Sequence, residues 1–175
     1  MEYISRLVSA LQSIDQSDIQ KLSDAINRSR ILNGTIYMCG NGGSFANAQH
    51  WVCDLLKVAN LRCFLLGSNL SLVTAMSNDI SYECALVEEF NGVHIICSND
   101  IVIVLSCSGQ SQNIIELLAR ASKLHNVQSV LVTGSMHDLE NLADIVIKVD
   151  SKEYGIIEDC HAAIGHMLVK ELSGT

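Results

Sequence analysis

Residues 39–54 of this chain read CGNGGSFANAQHWVCD, and the predicted architecture follows from them. An apolar run at 35–39 leads into the glycines, and a helix-forming segment carrying His50 and Asp54 follows. A glycine-rich turn between a strand and a helix lets backbone N–H groups approach an anion closely. His50 and Asp54 are four residues apart, so on a helix they share one face and can bind one metal ion or substrate. A purely structural turn is the alternative reading of the glycines.

The pattern around this stretch predicts an α/β fold. Residues 2–32 have the apolar periodicity of two amphipathic helices, which we expect to serve packing or oligomerisation. Apolar strand candidates follow at 35–39, 61–66, 101–106, 128–133 and 144–149. Helical segments lie between and after them at 44–58, 69–90 (in two pieces), 111–125, 136–142 and near 156–172. This alternation predicts a doubly wound, five-stranded parallel sheet with N-terminal helices, in a single domain spanning residues 1–175.

Composition excludes several classes of protein. A net charge of −8, without a cluster of Lys and Arg, argues against a nucleic-acid partner. The apolar runs have the length of strands and are too short to cross a membrane, and no signal peptide is evident, so we expect a cytoplasmic protein. Hydrophobic residues make up 49% of the 175-residue chain and charged residues 17%, which suggests surface covered by other subunits. Seven scattered cysteines suit reduced core thiols.

A second polar loop follows the third predicted strand. It reads SCSGQS at residues 106–111 and leads into a predicted helix. Three hydroxyl groups, a glycine and a helix N-terminus at the carboxyl end of a strand suit a phosphate group. Ordinary helix capping would account for one of the serines but poorly for three. In doubly wound folds this loop and the Gly40 turn lie where ligands bind.

Together these motifs resemble a known family. The blocks GNGGS…AQH, SND at 77–79, SxSGxS and the closing IEDCH…GH are similar to the sugar isomerase (SIS) domain. Within that superfamily they resemble the phosphoheptose isomerases most, over roughly residues 35–172. The resemblance implies a flavodoxin-like SIS fold and a zinc-dependent aldose–ketose isomerase acting on sedoheptulose 7-phosphate. It also implies a homotetramer with active sites at subunit interfaces, in a pathway of heptose biosynthesis.

The resemblance also assigns roles to residues by position. The substrate-binding residues it implies are Asn41, Gly42, Gly43, Asn78, Asp79, Ser106, Cys107, Ser108, Ser111 and Glu158. The metal ligands it implies are His50, Asp54, Glu158 and His166. This chain has Cys107 where the family has threonine, Asp54 where it has glutamate, and Glu158 where it has glutamine. The shortened segment at 55–62 is a further departure, at the substrate end.

The carboxylate and histidine set raises a question of geometry. Two histidines and two carboxylates suit Zn²⁺, and Mn²⁺ or Fe²⁺ are acceptable. Glu158 and His166 are eight residues apart, about 12 Å along a helix, so one straight helix could not easily bring both to one metal. Glu158 could precede the helix, reach along it, or have its partner in another subunit. His166 could also be a core histidine, because its segment is apolar and rich in small residues.

Isomerisation through an enediol needs a base, an acid and stabilisation of a developing oxyanion. We expect Asp54 or Glu158 to carry the proton, with His166 as its partner. The alternative is a non-catalytic SIS protein that binds a sugar phosphate for regulation or contacts a partner protein. We expect His161 to support the site at most indirectly, and His94, His125 and His137 to be surface or structural residues.

Overall fold

The computed structural model describes residues 1–93, 96–137, 139 and 141–174. Two helices come first, α1 (Glu2–Gln12) and α2 (Gln16–Ile31). Strands and helices then alternate as β1 (Ile36–Gly40), α3 (Gly42–Lys57), β2 (Cys63–Leu65), α4 (Leu70–Asp79), α5 (Tyr82–Val93), β3 (Ile101–Ser106), α6 (Gln112–Ala121), β4 (Gln128–Gly134), β5 (Ile145–Val149) and α7 (Tyr154–Ser173).

The five strands form one parallel sheet in the order β2-β1-β3-β4-β5. In the central pair, Ile36 lies opposite Ile101 and Gly40 opposite Leu105. Every residue of β1 and β3 is buried, because helices cover both faces of the sheet. The predicted doubly wound parallel sheet is confirmed.

Alternate residues of each strand feed two separate cores. Ile36 and Met38 of β1 pack on the side of α1, α2, α3 and α7. Tyr37 and Cys39 point to the other side, toward α5 and α6. The period of two follows from the pleat of a β-strand.

The two N-terminal helices pack against α7, the last helix of the chain. Asp15 caps α2, its carboxylate accepting a hydrogen bond from the Ser17 backbone N–H at 2.8 Å. From the end of α2, the Arg30 guanidinium donates to the backbone oxygens of Leu172 and Ala59. These bonds fix α2 against α7 and so help to position the helix that carries Glu158 and His166.

One predicted helix is absent from the described part of its segment. Residues 136, 137 and 142 form bends, residue 141 a turn and residue 139 irregular backbone, in place of the helix expected at 136–142. Leu139 is buried, with its side chain packed against Gly109, where an added Cβ would lie 2.1 Å from a Leu139 methyl. The side chain of Leu139 therefore anchors its loop to the core.

The order of the strands defines where a ligand can bind. The chain leaves β1 toward one edge of the sheet and leaves β3 toward the other, and β1 and β3 are neighbours. The loops that follow these two strands diverge and leave a crevice at their carboxyl ends. That crevice receives the Gly40 turn and the serine loop.

Candidate functional site

The turn after β1 requires glycine at two positions for steric reasons. A Cβ on Gly40 would lie 2.7 Å from the backbone carbon of Ser44 and 2.9 Å from the Leu105 oxygen. Gly42, the first residue of α3, has φ +56°, a left-handed conformation that favours glycine. Asn41 makes no capping bond with its side chain, so the N-terminal N–H groups of α3 remain directed at the crevice.

The serine loop after β3 uses two of its hydroxyl groups to hold its own turn. Ser106 Oγ accepts from the Gly109 N–H at 3.1 Å, and Ser108 Oγ accepts from the Gln110 N–H at 3.2 Å. Ser111 is the N-cap residue of α6 but makes no capping hydrogen bond with its side chain. Both loops therefore present helix N-termini, which favour a bound anion.

The two loops enclose a cavity of about 260 Å³. Its lining consists of Asn41, Gly42, Gly43, Ser44, Ser106, Cys107, Ser108, Ser111, Tyr154 and Glu158. The structure thus brings eight of the ten residues expected to bind substrate to one place. Two lining residues were not predicted: one is the serine that closes the GNGGS block, and the other is the first residue of α7, which has no distinctive signal in the sequence. These are Ser44 and Tyr154.

Glu158 and Cys107 face each other across this cavity. Cys107 Sγ lies 3.8 Å from Glu158 Oε1 and 3.6 Å from Ser44 Oγ. Burial raises the pKa of the Cys107 thiol, and the nearby Glu158 charge acts in the same direction. Cys107 is therefore a neutral thiol at physiological pH, a weak donor in the place of the family's threonine hydroxyl.

A pair of amides joins the two loops, and the sequence did not reveal it. Asn41 Nδ2 donates to Asn113 Oδ1 at 2.9 Å, and Asn113 Nδ2 donates back to Asn41 Oδ1 at 2.9 Å. The Tyr82 hydroxyl also donates to Asn41 Oδ1, at 2.8 Å. Asn113 is buried, so this reciprocal pair fixes the Asn41 side chain at the edge of the cavity.

A second cavity of about 260 Å³ lies beside the first and shares Asn41 and Gly42 with it. Phe45, Val73 and Leu86 make its lining mostly apolar. It extends the crevice toward α4 and α5 without adding charged groups.

The three predicted ligands His50, Asp54 and His166 come together on α3 and α7. His50 Nε2 lies 3.1 Å from Asp54 Oδ2 and 3.2 Å from His166 Nε2, and His166 Nε2 lies 4.0 Å from Asp54 Oδ2. Tetrahedral zinc with ligands about 2.0–2.1 Å away separates its donor atoms by about 3.3 Å. Two imidazoles and a carboxylate at these distances fit such an ion, and about half or more of each imidazole is exposed (57% and 61%).

Glu158 is not brought to this cluster, in contrast to the ligand set implied by the resemblance. It lies within α7, so the possibility that it precedes the helix is wrong. Its carboxylate points to Gly43 and Cys107, about 12 Å of helix rise from His166. The structure therefore separates the four expected ligands into a cluster of three and a carboxylate in the cavity. Within one chain, His166 therefore does not contact Glu158, and the alternative in which another subunit supplies one of the two residues stays a prediction.

Close packing of α3 on α7 fixes both features. Asn47 Nδ2 donates to the Glu158 backbone oxygen at 2.9 Å, and Trp51 Nε1 donates to the His161 backbone oxygen at 2.8 Å. A Cβ on Gly165 would lie 2.2 Å from Trp51 Nε1, so glycine lets the indole sit against α7. The two helices hold the cavity at their N-termini and the three-ligand cluster about two turns further along.

Asn78 and Asp79 lie outside the cavity. They end α4, where both are exposed, and Asn78 Nδ2 donates to Asp79 Oδ1 at 2.9 Å. No residue of α4 is buried in this chain. The structure of one chain therefore gives these two residues no contact with the cavity lining.

The remaining histidines divide by burial. His161 is fully buried, and burial lowers its pKa to about 4. His125 and His137 are exposed, whereas His94 lies outside the described residues.

A larger cavity, of about 410 Å³, lies at the opposite end of the strands. Two carboxylates line it, Asp100 and Asp144. Asp100 accepts from the N–H groups of Thr35 and Cys97, and Asp144 accepts from the Ser129 N–H and hydroxyl. These carboxylates are occupied in fixing strand ends, so we place the site at the carboxyl edge.

Comparisons with known proteins show which proteins this chain is similar to. A family model described as the SIS domain matches residues 1–134. A probable phosphoheptose isomerase of Thermoplasma volcanium is 32% identical over 173 residues, covering 95% of this chain and 87% of that protein. A phosphoheptose isomerase from Francisella tularensis superposes with a TM-score of 0.86 at 23% identity, covering 98% and 93% of the two chains. One from Neisseria gonorrhoeae gives 0.87 at 21% identity, covering 99% and 96%. None of the described helices is long and apolar enough to cross a membrane.

Proposed function

Because this chain belongs to the SIS-domain family, we propose that it is a phosphosugar isomerase that interconverts a ketose phosphate and an aldose phosphate. The proposed substrate is sedoheptulose 7-phosphate and the product D-glycero-D-manno-heptose 7-phosphate, after the phosphoheptose isomerases it resembles. The observation that carries the proposal is the cavity between the Gly40 turn and the serine loop. It combines helix N-termini, hydroxyl groups and one carboxylate within about 260 Å³.

We assign the phosphate to the serine loop. The hydroxyl of Ser111 and the N-termini of α3 and α6 offer hydrogen-bond donors and positive potential. Binding the phosphate away from the reacting carbons holds those carbons in place for proton transfer. The amide of Asn41, fixed by Asn113, is placed to contact the sugar chain.

Of the two carboxylates considered for proton transfer, we assign the role to Glu158. Its oxygens face the cavity, whereas the Asp54 carboxylate lies beside His50 and His166. In the proposed reaction Glu158 takes a proton from one of the two reacting carbons and returns it to the other through an enediol.

His50, Asp54 and His166 would hold the metal ion, for which zinc suits the donor set and manganese or iron is acceptable. Such a metal would supply positive charge able to polarise a sugar carbonyl or hydroxyl oxygen that reaches it. In one chain this cluster lies about two helical turns from the cavity.

We further propose a homotetramer with sites at subunit interfaces, built from single SIS domains. Exposed apolar side chains support the assembly, among them Ile4 and Val8 of α1, Leu70 of α4, and Ile80. Free thiols suit the reducing cytoplasm, where we place the protein.

The test is an isomerase assay on sedoheptulose 7-phosphate with purified protein. We expect turnover by the wild type and a loss of about a hundredfold or more in kcat/KM for Ser108→Ala combined with Ser111→Ala. The matched control is Ser122→Ala, an exposed serine at the end of α6. Binding of the sugar phosphate without turnover by the wild type would contradict the proposal and support a regulatory role.

A further inference from the structure

Glu158 places a negative charge inside a cavity suited to an anion. Its two carboxylate oxygens each lie 2.4 Å from the position that a Cβ on Gly43 would take, at the N-terminus of α3. Among the described residues, its one hydrogen-bonding side-chain contact is the Cys107 thiol, at 3.8 Å. A thiol is a weak donor, so the N-terminus of α3 is what chiefly offsets the Glu158 charge, and a bound anion competes with the carboxylate for that positive end.

The other lining residues do not balance this charge. All ten are described, and none of them is Lys or Arg. A phosphate in the cavity is therefore held by hydroxyl groups and helix N-termini alone. In a cavity of about 260 Å³ any bound anion lies within several ångströms of Glu158, a distance at which like charges repel appreciably beneath the protein surface.

A sugar phosphate can offset this repulsion through hydrogen bonds from its hydroxyl groups, whereas inorganic phosphate offsets little of it. The hydroxyl groups along a sugar chain can donate hydrogen bonds to the carboxylate oxygens, and such charge-assisted bonds are strong. Inorganic phosphate brings its negative charge with few donors. The same carboxylate thus favours one ligand and disfavours the other.

We propose that Glu158 is a specificity-determining residue that makes the cavity select sugar phosphates over inorganic phosphate. The inference rests on the proposed function, because it takes the cavity to be the site of a sugar phosphate. To that function it adds selection against inorganic phosphate, which carries the same phosphate group as the substrate but no sugar chain.

Binding of two probes to the purified protein tests the inference. The probes are inorganic phosphate and a heptitol 7-phosphate, which has no carbonyl and cannot be isomerised. Titration calorimetry is carried out on the wild type, Glu158→Gln and Glu158→Asp, with melting temperature and metal content measured for each. Ser108→Ala serves as the control that reports whether both probes bind at the serine loop.

We expect Glu158→Gln to bind inorganic phosphate about tenfold more tightly, because the repulsion is removed. The affinity of Glu158→Gln for the heptitol phosphate should change less, because two effects oppose each other. The repulsion of the phosphate is relieved, but the glutamine oxygen accepts hydrogen bonds from the sugar hydroxyl groups more weakly than the carboxylate does. Glu158→Asp keeps the charge and should keep the weak phosphate binding. Ser108→Ala should weaken both probes.

Unchanged or weaker phosphate binding by Glu158→Gln, with the heptitol phosphate still bound, would overturn the inference and leave the proposed function intact. Phosphate binding that Ser108→Ala does not alter would also overturn it, because the anion would then lie elsewhere. A wild type that binds no heptitol phosphate would instead refute the proposed function.

Discussion

Replacing Gly43 by alanine tests whether the contact between α3 and Glu158 is part of the site. The new Cβ would lie 2.4 Å from both Glu158 carboxylate oxygens and 2.5 Å from their carbon. Ordinary contacts with a Cβ begin near 3.4 Å, so the carboxylate must move by about 1 Å or leave the cavity. Gly43 does not have a positive φ, and the backbone accepts alanine without strain.

The expected effect is large on activity and small on stability. Displacing a catalytic group by about 1 Å can cost about a hundredfold in rate. Alanine is favoured over glycine within a helix by about 0.5–1 kcal/mol, and the flexible end of Glu158 can move aside. We therefore expect Gly43→Ala to lose about a hundredfold in kcat/KM while its melting temperature changes by at most a few degrees.

Gly42→Ala is the matched control on the adjacent residue. An added Cβ there meets nothing within 4 Å, but the φ of +56° strains an alanine. We expect about 1 kcal/mol of destabilisation, or a melting temperature lower by about 2–4 °C, with a smaller loss of activity. Kinetics on sedoheptulose 7-phosphate and thermal denaturation of both variants give the answer. Wild-type activity in Gly43→Ala would refute the reasoning, because it would show that the Glu158 carboxylate can be displaced without loss of kcat/KM.

Three other predictions concern the cluster, the buried histidine and the thiols. His50→Ala should lose the near-stoichiometric zinc that mass spectrometry detects in the wild type, whereas His125→Ala, at an exposed histidine, should retain it. Equal zinc content in both variants would exclude the cluster as the metal site. Burial depresses the pKa of His161 to about 4, from an unfolded value near 6.5. Above pH 6.5 the imidazole is neutral in both states, and the free energy of unfolding is higher there by about 3 kcal/mol than below pH 4. That stability should be lost as pH falls from 6.5 to 4, and urea unfolding of His161→Asn should show a flatter pH dependence; parallel curves would contradict this. Iodoacetamide at neutral pH should label the exposed Cys53 well before Cys107, whose thiol pKa is raised by burial, and peptide mass spectrometry would reveal the opposite order.

The sequence was informative where chemistry requires particular residues at fixed spacing. A strand, a glycine turn and a helix with His50 and Asp54 predicted the first half of the site, because backbone geometry demands glycine there. Apolar runs of strand length predicted all five strands, since a parallel sheet covered on both faces is apolar throughout.

The sequence was silent where a contact depends on the packing of distant elements. The pairing of Asn113 with Asn41 joins residues 72 positions apart, and nothing in the helix containing Asn113 distinguishes it from a solvated amide. The direction of the Glu158 side chain depends on the closeness of α3 to α7, which Gly165 and Trp51 determine. The apolar spacing at 136–142 resembled a helix, although Leu139 serves as an anchor under Gly109.

The most direct test of the central claim is the transfer of a proton at the reacting carbons. Purified protein is incubated with sedoheptulose 7-phosphate in D₂O, and the sugar phosphates are followed by NMR and mass spectrometry. Proton transfer through an enediol by a carboxylate predicts formation of the aldose phosphate, with deuterium appearing at the carbons that exchange their proton. Sugar phosphate that remains unconverted and free of deuterium, in the presence of folded, metal-loaded protein, would contradict the assignment of this chain as an isomerase.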